Sequence, residues 1–138
     1  MPLLSHYEMP SNCEYKSPLL SQDGQYLSCI ARSEFDIVYV WDLEDLYWYK
    51  YKFSSNSKVD SVAFTPDSKS ILIIYRQTNP ALYNLSNGKK VLELEKNGEE
   101  SNREGIHCAF TVKGSHFGYT TDKSFTLWSM KVEKLNNK

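Results

Sequence analysis

The chain has 138 residues, of which 16 are Lys or Arg and 17 are Asp or Glu, so its formal net charge is −1. This balance argues against a nucleic-acid-binding module that works by bulk electrostatics, because such a module would carry a basic field. The hydrophobic fraction of 41% is ordinary for a globular protein, and the absence of an apolar run of roughly 18 residues argues against a membrane span.

Residues 1–14 are predicted to form an N-terminal extension. The stretch up to Pro18 has neither a basic leader nor an apolar run of signal-peptide length, which favours an intracellular, cytoplasmic protein. The cysteines agree with this location: Cys13, Cys29 and Cys108 are odd in number and widely spaced. They are therefore predicted to be reduced thiols, and not a disulfide framework or a zinc site.

The rest of the chain contains three similar stretches, residues 15–53, 59–96 and 105–135. Each has an apolar anchor followed by a hydroxyl residue and a turn, and each later has an aromatic anchor. Both kinds of anchor return after 42 to 46 residues. In the order of the copies, the pairs are Leu20 and Trp41, Phe64 and Tyr83, and Phe110 and Trp128. Such a period predicts a protein built from one recurring unit.

Each unit is predicted to consist of short antiparallel strands. Alternation in DIVYVW places Ile37, Tyr39 and Trp41 on one face of a strand and two valines on the other. SILIIY, residues 70–75, is apolar without a break, as expected for a strand that is covered on both faces. Strands that lie between two layers are typical of the radially stacked sheets of a β-propeller.

The repeat resembles the WD-repeat β-propeller family, whose blades have about 40–45 residues and four strands. VDSVAFTPDSKSIL in the second copy matches the opening phrase of that family, and TTDKSFTLWS in the third matches its closing phrase. The resemblance implies an all-β fold of about three four-stranded antiparallel blades, an incomplete propeller. The residues that match its structural anchors are Trp41, Asp42, Tyr83, Asp122 and Trp128.

The sequence departs from the family pattern before each first strand, where the Gly-His pair is missing. The family's buried tetrad of His, Ser or Thr, Asp and Trp therefore cannot form in its usual manner, and Asp122 would need another partner. Tyr83-Asn84 also replaces Trp-Asp in the second copy. These differences indicate degenerate blades.

Three blades are fewer than the roughly four to eight that close a propeller. We therefore expect two open apolar faces at the ends of the array. One would lie around Ile37, Tyr39 and Tyr49, and the other around Phe125 and Leu127. Further propeller blades or a second copy of the chain would have to cover them.

The search for catalytic chemistry yields no constellation. His107 and Cys108 are adjacent, but neighbours on a strand point to opposite faces, so their side chains would diverge. The acidic residues Asp42, Glu44 and Asp45 lack calcium-loop spacing and are interpreted as a solvated turn. The six glycines form no phosphate-binding loop. We therefore predict a protein without enzyme activity, metal or cofactor.

LYWYKYKF, residues 46–53, is the most unusual local feature. Strand alternation would place its three tyrosines and Phe53 on one face, with a tryptophan and two lysines on the other. The strip could pack on an adjoining blade or supply aromatic anchors for a protein partner. Its candidate contact residues are Tyr47, Trp48, Tyr49 and Tyr51.

Three further segments have ambiguous or irregular patterns. KKVLELEK and MKVEKL would suit short helices by propensity, but their positions after the aromatic anchors favour outer strands. Residues 95–105 are polar and contain two glycines, which predicts a loop between blades.

The family resemblance implies a non-enzymatic scaffold for protein–protein interaction. Partners of such propellers commonly dock on the loops between blades and between second and third strands. In this chain those loops hold Arg32, Glu34, Phe35, Lys58, Arg76, Gln77 and Arg103. An alternative is an RNA-associated propeller that uses Arg32, Arg76 and the aromatic strip.

Overall fold

The computed structural model describes residues 14–45, 48–94, 107–110, 116–120 and 125–129. Within these ranges all regular secondary structure is β-strand, and no helix is long and apolar enough to cross a membrane. The strands are β1 (Glu14–Leu20), β2 (Tyr26–Arg32), β3 (Ile37–Asp42), β4 (Tyr51–Ser54), β5 (Val59–Phe64), β6 (Ser70–Tyr75), β7 (Ala81–Asn84), β8 (Lys90–Glu93), β9 (His107–Phe110), β10 (His116–Thr120) and β11 (Phe125–Ser129).

The strands form three antiparallel sheets in which each strand pairs with the next one along the chain. Sheet 1 has the order β1-β2-β3-β4, sheet 2 the order β5-β6-β7-β8, and the described part of sheet 3 the order β9-β10-β11. The predicted all-β class is thereby confirmed, and the sheets fit an incomplete propeller. KKVLELEK contains β8 and is a strand as predicted, whereas MKVEKL and the predicted loop at 95–105 lie outside the described residues.

The repeat anchors occupy equivalent places in the three sheets. The apolar anchors Leu20, Phe64 and Phe110 are the last residues of β1, β5 and β9. The aromatic anchors Trp41, Tyr83 and Trp128 are the residues before the last in β3, β7 and β11. The sequence period therefore corresponds to a structural period of one sheet.

Sheets 1 and 2 pack face to face through an apolar core. Val38 and Val40 of β3 meet Ile71 and Ile73 of β6, and all four side chains are fully buried. The predicted alternation of β3 is confirmed, because Ile37, Tyr39 and Trp41 belong to a separate cluster on the other face.

Sheet 2 also has a second apolar face, which packs against sheet 3. Leu72 and Ile74 of β6 lie there with Leu82 and Leu94, and they contact Phe117 of β10. Strand β6 is therefore buried on both faces, as its unbroken apolar sequence predicts.

Strand β4 is shorter than the sequence predicts. It begins only at Tyr51, because residues 48–50 form a bend in which the Lys50 amide donates to the Val40 carbonyl at 2.7 Å. The bend breaks the alternation: Tyr49 joins the cluster around Tyr39, while Tyr51 packs on the opposite face of sheet 1. The prediction that Tyr49, Tyr51 and Phe53 share a face is therefore wrong for Tyr49.

The outer face of sheet 1 is not open at its centre, contrary to prediction. Tyr39 is only 3% exposed, and Ile37 and Tyr49 are half-buried. The ring centroids of Tyr15 and Tyr49 lie 6.3 Å and 4.9 Å from that of Tyr39. Aromatic neighbours from β1 and from the bend at residues 48–50 therefore surround Tyr39.

The outer face of sheet 3 is exposed, as predicted. Phe125 and Leu127 are 68% and 58% exposed. Leu127 pairs with Gly118 in β10, the neighbour of Phe117, so Leu127 and Phe117 project to opposite faces. We call the surface formed by Phe125 and Leu127 the open face.

Candidate interaction site

Three connections meet at one end of sheets 1 and 2: residues 33–36 between β2 and β3, 55–58 between β4 and β5, and 76–80 between β6 and β7. The Asp36 amide donates to the Ser57 carbonyl at 3.4 Å, and the Gln77 amide donates to Ser57 Oγ at 3.0 Å. Ser57 therefore links all three connections, which together we call the loop face.

A buried carboxylate organises the loop face. Asp36 is fully buried, and its Oδ2 accepts hydrogen bonds from Arg32 Nη1 at 2.5 Å and from the Val59 amide at 2.8 Å. Arg32 Nη1 also donates to the Val59 carbonyl at 2.6 Å. Asp36 and Arg32 together join the β2–β3 turn of sheet 1 to the first residue of β5 in sheet 2.

Lys58 and Arg76, the two cations of the loop face, also pair with buried carboxylates. Lys58 Nζ lies 3.8 Å from Asp36 Oδ1 and donates to the Ser33 carbonyl. Arg76 Nε donates to Oδ1 of Asp60 at 3.0 Å, and the Asp60 side chain is almost fully buried. The structure therefore brings Arg32, Lys58 and Arg76 close together, and each makes contacts that fix the loops.

Three other predicted residues have accessible side chains on the loop face. Glu34, Phe35 and Gln77 are exposed, with Phe35 at 44%. Ser33 Oγ donates to the Phe35 carbonyl at 2.7 Å, which holds the turn that carries Phe35. Arg103 lies outside the described residues.

The aromatic strip does not form a continuous surface. Tyr51 Oη donates to the Leu85 carbonyl at 2.9 Å, so this ring bridges sheets 1 and 2. Tyr49 packs on Tyr39, whereas Trp48 is 54% exposed. Because the chain reverses between β3 and β4, Trp48 lies at the end of sheet 1 away from the loop face. Tyr47 lies outside the described residues.

The structural anchors have separate roles. Trp41 is 7% exposed, and its ring lies 5.8 Å from that of Tyr39. Asp42 Oδ1 accepts from the Glu44 amide at 3.0 Å and so shapes the turn after β3. The ring of Tyr83 lies 4.4 Å from Phe53 across the sheets. Trp128 lies in β11, but the description does not extend to its side chain, and Asp122 is outside the described residues.

Two buried groups titrate outside the ordinary range. Burial raises the pKa of the Cys29 thiol to about 11. The pKa of Tyr75 is raised by burial and by its hydrogen bond with Tyr83, whose hydroxyl lies 3.1 Å away. Both groups therefore stay protonated at neutral pH. Among the described residues, no group of three or more His, Cys, Asp or Glu side chains could hold a metal ion.

Asp36 is the residue that sequence reasoning missed. The family pattern points to Asp122, which precedes Trp128 by six residues, whereas Asp36 precedes Trp41 by five. Asp36 matches the pattern if the spacing between the aspartate and the tryptophan is allowed to vary by one residue. Its ion pair with Arg32 is local to the β2–β3 turn, whereas its contacts with Lys58 and the Val59 amide depend on how the sheets meet.

Comparison with known proteins supports the fold and no more. The chain matches no protein-family model and no curated protein. Among solved structures it is similar to the β-propeller domain of Cps50 (Swd1) from Myceliophteria thermophila, with a TM-score of 0.67 and 14% identity. The match covers 90% of this chain and 40% of that chain. The protein has a propeller-type fold, while membership of the WD-repeat family and the number of blades stay predictions.

Proposed function

We propose that the protein is a non-enzymatic scaffold that binds other proteins through its loop face. The observation that carries this proposal is the internal bracing of the face by Asp36 and Asp60, which leaves Glu34, Phe35 and Gln77 on its surface. We further propose that residues 15–53, 59–96 and 105–135 are blades of a propeller that further β-sheets complete.

A braced surface suits protein recognition because ordering loops on association costs free energy. Loops that are already hydrogen-bonded lose less conformational freedom when a partner binds. Phe35 adds an accessible aromatic ring, and aromatic side chains are frequent anchors of protein interfaces. An intracellular location stays a prediction of the sequence.

The RNA-binding alternative gains no support from these contacts. Binding of a phosphate backbone needs cations that can exchange counterions for phosphate. Arg32, Lys58 and Arg76 instead form ion pairs with Asp36 and Asp60 inside the protein. Base stacking along the strip needs several open ring faces, but Tyr49 and Tyr51 are half-buried and pack within the protein, and Trp48 is the exposed ring among the described residues of the strip. Only protein binding is therefore proposed.

The test compares proteins captured from the source cells by the full chain and by two variants. Phe35→Ala removes the exposed ring of the loop face. Gln22→Ala changes an exposed residue of the β1–β2 turn, at the opposite end of sheet 1. A partner of the loop face should then bind as a purified protein, with affinity lowered about tenfold by Phe35→Ala and unchanged by Gln22→Ala.

A salt series on the purified complex separates the two classes of partner. Protein binding through Phe35 should depend weakly on salt, whereas phosphate contacts would give a steep loss of affinity. Equal binding by the chain and by Phe35→Ala would contradict the proposed loop face. A steep loss of affinity with salt, together with RNA that stays bound to the purified chain, would contradict protein binding.

A further inference from the structure

A cavity of about 590 Å³ lies between sheets 1 and 2 and is lined in part by the loop face. Ser54 and Ser55, at the end of β4, line it from sheet 1. The β6–β7 turn and side chains of β7 and β8 line it from sheet 2. Its volume is within the range of about 300–1,000 Å³ that is usual for ligand pockets.

The described lining has no unpaired charge. Lys90 and Glu93 are its charged residues, and Lys90 Nζ donates to Glu93 Oε1 at 2.8 Å. Asn79 Nδ2 donates to Glu93 Oε2 at 3.1 Å. The hydrogen bonds from Lys90 and Asn79 lower the pKa of Glu93, so the pair stays ionised at neutral pH. A phosphate or carboxylate ligand would meet no free cation in this part of the cavity.

The remaining lining consists largely of hydroxyl and amide groups. The hydroxyls of Tyr75 and Tyr83 meet at 3.1 Å, while the Tyr75 ring is buried and the Tyr83 ring packs on Phe53. Recognition of nucleobases or sugars by stacking would need an open ring face, which these two tyrosines do not provide. Ser55 Oγ is enclosed and has no hydrogen-bond partner among the described residues.

We infer that this cavity binds a short, uncharged, extended peptide segment of a protein partner. Each peptide residue other than proline brings one backbone donor and one acceptor, which match hydroxyl and amide groups such as those of Ser54, Gln77 and Thr78. Strands β4 and β8 lie at the edges of their sheets, and edge strands are places where an extended peptide can add backbone hydrogen bonds.

The inference rests on the proposed function in one respect, since it assumes that the partner is a protein. The cavity shares Ser55 and residues 77–79 with the loop face, but Glu34 and Phe35 do not line it. The two sites can therefore be tested by different substitutions.

The experiment selects linear peptides displayed on phage for binding to the 138-residue chain, and then uses the selected sequence as a synthetic peptide. Two variants narrow the cavity from opposite sides: Ser54→Trp from β4 and Thr78→Trp from the β6–β7 turn. Both residues are exposed, so neither change removes a core contact. Gln22→Trp is the matched control, because it places the same side chain in an exposed turn at the other end of sheet 1.

We expect each cavity variant to weaken peptide binding about tenfold or more, and Gln22→Trp and Phe35→Ala to leave it within about twofold. Thermal unfolding of each variant confirms that it is folded, and a variant that is unfolded is replaced by Ser54→Tyr or Thr78→Tyr.

Three outcomes would overturn the inference. They are the selection of no binding peptide, binding that survives both cavity variants, and binding that is lost with Phe35→Ala alone. Loss of binding with Phe35→Ala alone would mean that the peptide binds at Phe35. The cavity inference would then fail, while the proposed function would stand.

Discussion

At the scale of single residues, burial separates tryptophans that maintain the fold from tryptophans that do not. Trp41 is 7% exposed and packs on Tyr39, whereas Trp48 is 54% exposed. We expect Trp41→Ala to lower the free energy of unfolding by about 3–5 kcal/mol, because the site cannot refill with other side chains. Trp48→Ala, the matched control, should change it by about 0.5 kcal/mol or less. Urea denaturation measures both, and equal effects would contradict the packing of Trp41.

Asp36 is expected to be as important for stability as a core residue. Asp36→Ala would leave Arg32 without its carboxylate and the Val59 amide without its acceptor in a buried environment. We expect a loss of about 3 kcal/mol in the free energy of unfolding. Glu44→Ala removes an exposed carboxylate and should cost about 0.5 kcal/mol or less. An Asp36→Ala protein as stable as Glu44→Ala would show that this network does not hold the sheets together.

Cys29 gives a prediction that depends on pH. Its pKa of about 11 exceeds the ordinary thiol value of 9.0 because the residue is buried. The reactive thiolate is therefore scarce in the folded protein until the pH approaches 11, whereas the unfolded chain forms it near the ordinary thiol value. Iodoacetamide at pH 8 should modify Cys29 quickly in urea and slowly in buffer, as peptide mass spectrometry can measure. Equal rates would contradict its burial.

The same change of pKa has a consequence for stability. Because the folded state holds the Cys29 proton more tightly than the unfolded state, its contribution to stability falls as the pH rises from the unfolded pKa towards 11. A Cys29→Ala variant should lose this part of the pH dependence, which denaturation at several pH values above neutrality would detect.

At the scale of strands and turns, local pattern predicted most of what the structure contains. The alternation of β3 and the unbroken apolar run of β6 are local consequences of which faces are covered, so they could be derived from sequence. The start of β4 could not, because the alternation continues in the sequence through residues 48–50, where the chain bends and the Lys50 amide donates to the Val40 carbonyl of β3. Bends of this kind interrupt an alternation that looks continuous in the sequence.

The turn between β7 and β8 shows how sheets 1 and 2 fit together. Gly88 has φ of +74°, and a Cβ added there would lie 2.6 Å from Tyr51 Cε1. Gly24, in the β1–β2 turn, has φ of +75° but no atom within 4 Å of such a Cβ. Both glycines have a backbone conformation that strains other residues, and only at Gly88 would an added Cβ also collide with a side chain of the neighbouring sheet.

These two glycines form a matched pair for substitution. Gly24→Ala should cost about 1–2 kcal/mol of unfolding free energy through backbone strain alone. Gly88→Ala should cost more, because it also displaces Tyr51 and its hydrogen bond to the Leu85 carbonyl. Denaturation of both variants gives the comparison. If Gly88→Ala were no worse than Gly24→Ala, the contact between Gly88 and Tyr51 would contribute nothing to docking of the sheets.

At the scale of the whole molecule, the sheets form an array with two unequal ends. Sequence reasoning predicted an apolar surface at each end, because period and alternation specify which side chains share a face. It placed Tyr39 and Tyr49 on one face but did not predict that Tyr15 of β1 would also pack on Tyr39. It also did not find the contacts that brace the loop face, of which those of Lys58 with Asp36 and of Arg76 with Asp60 join different elements. The sequence pattern correctly predicted the exposed apolar residues Phe125 and Leu127 of the open face.

The open face leads to the prediction that tests the proposed completion of the propeller. Burial of apolar surface is worth about 25 cal/mol per Å², so an exposed sheet face favours association. We expect the isolated chain to bind a hydrophobic dye and to associate as its concentration rises, either with itself or with added propeller blades. Phe125→Ser combined with Leu127→Ser should reduce both effects.

The control for this variant is the combination of Leu20→Ser and Val91→Ser, which removes two side chains of similar exposure from outside the open face. It should associate and bind dye as the unchanged chain does, in gel filtration coupled to light scattering. Because Phe125 and Leu127 are both more than half exposed, their replacement should leave unfolding of the monomer nearly unchanged, which separates loss of association from loss of folding. A chain that stays monomeric across micromolar concentrations without binding dye would refute the proposal that further β-sheets cover this face.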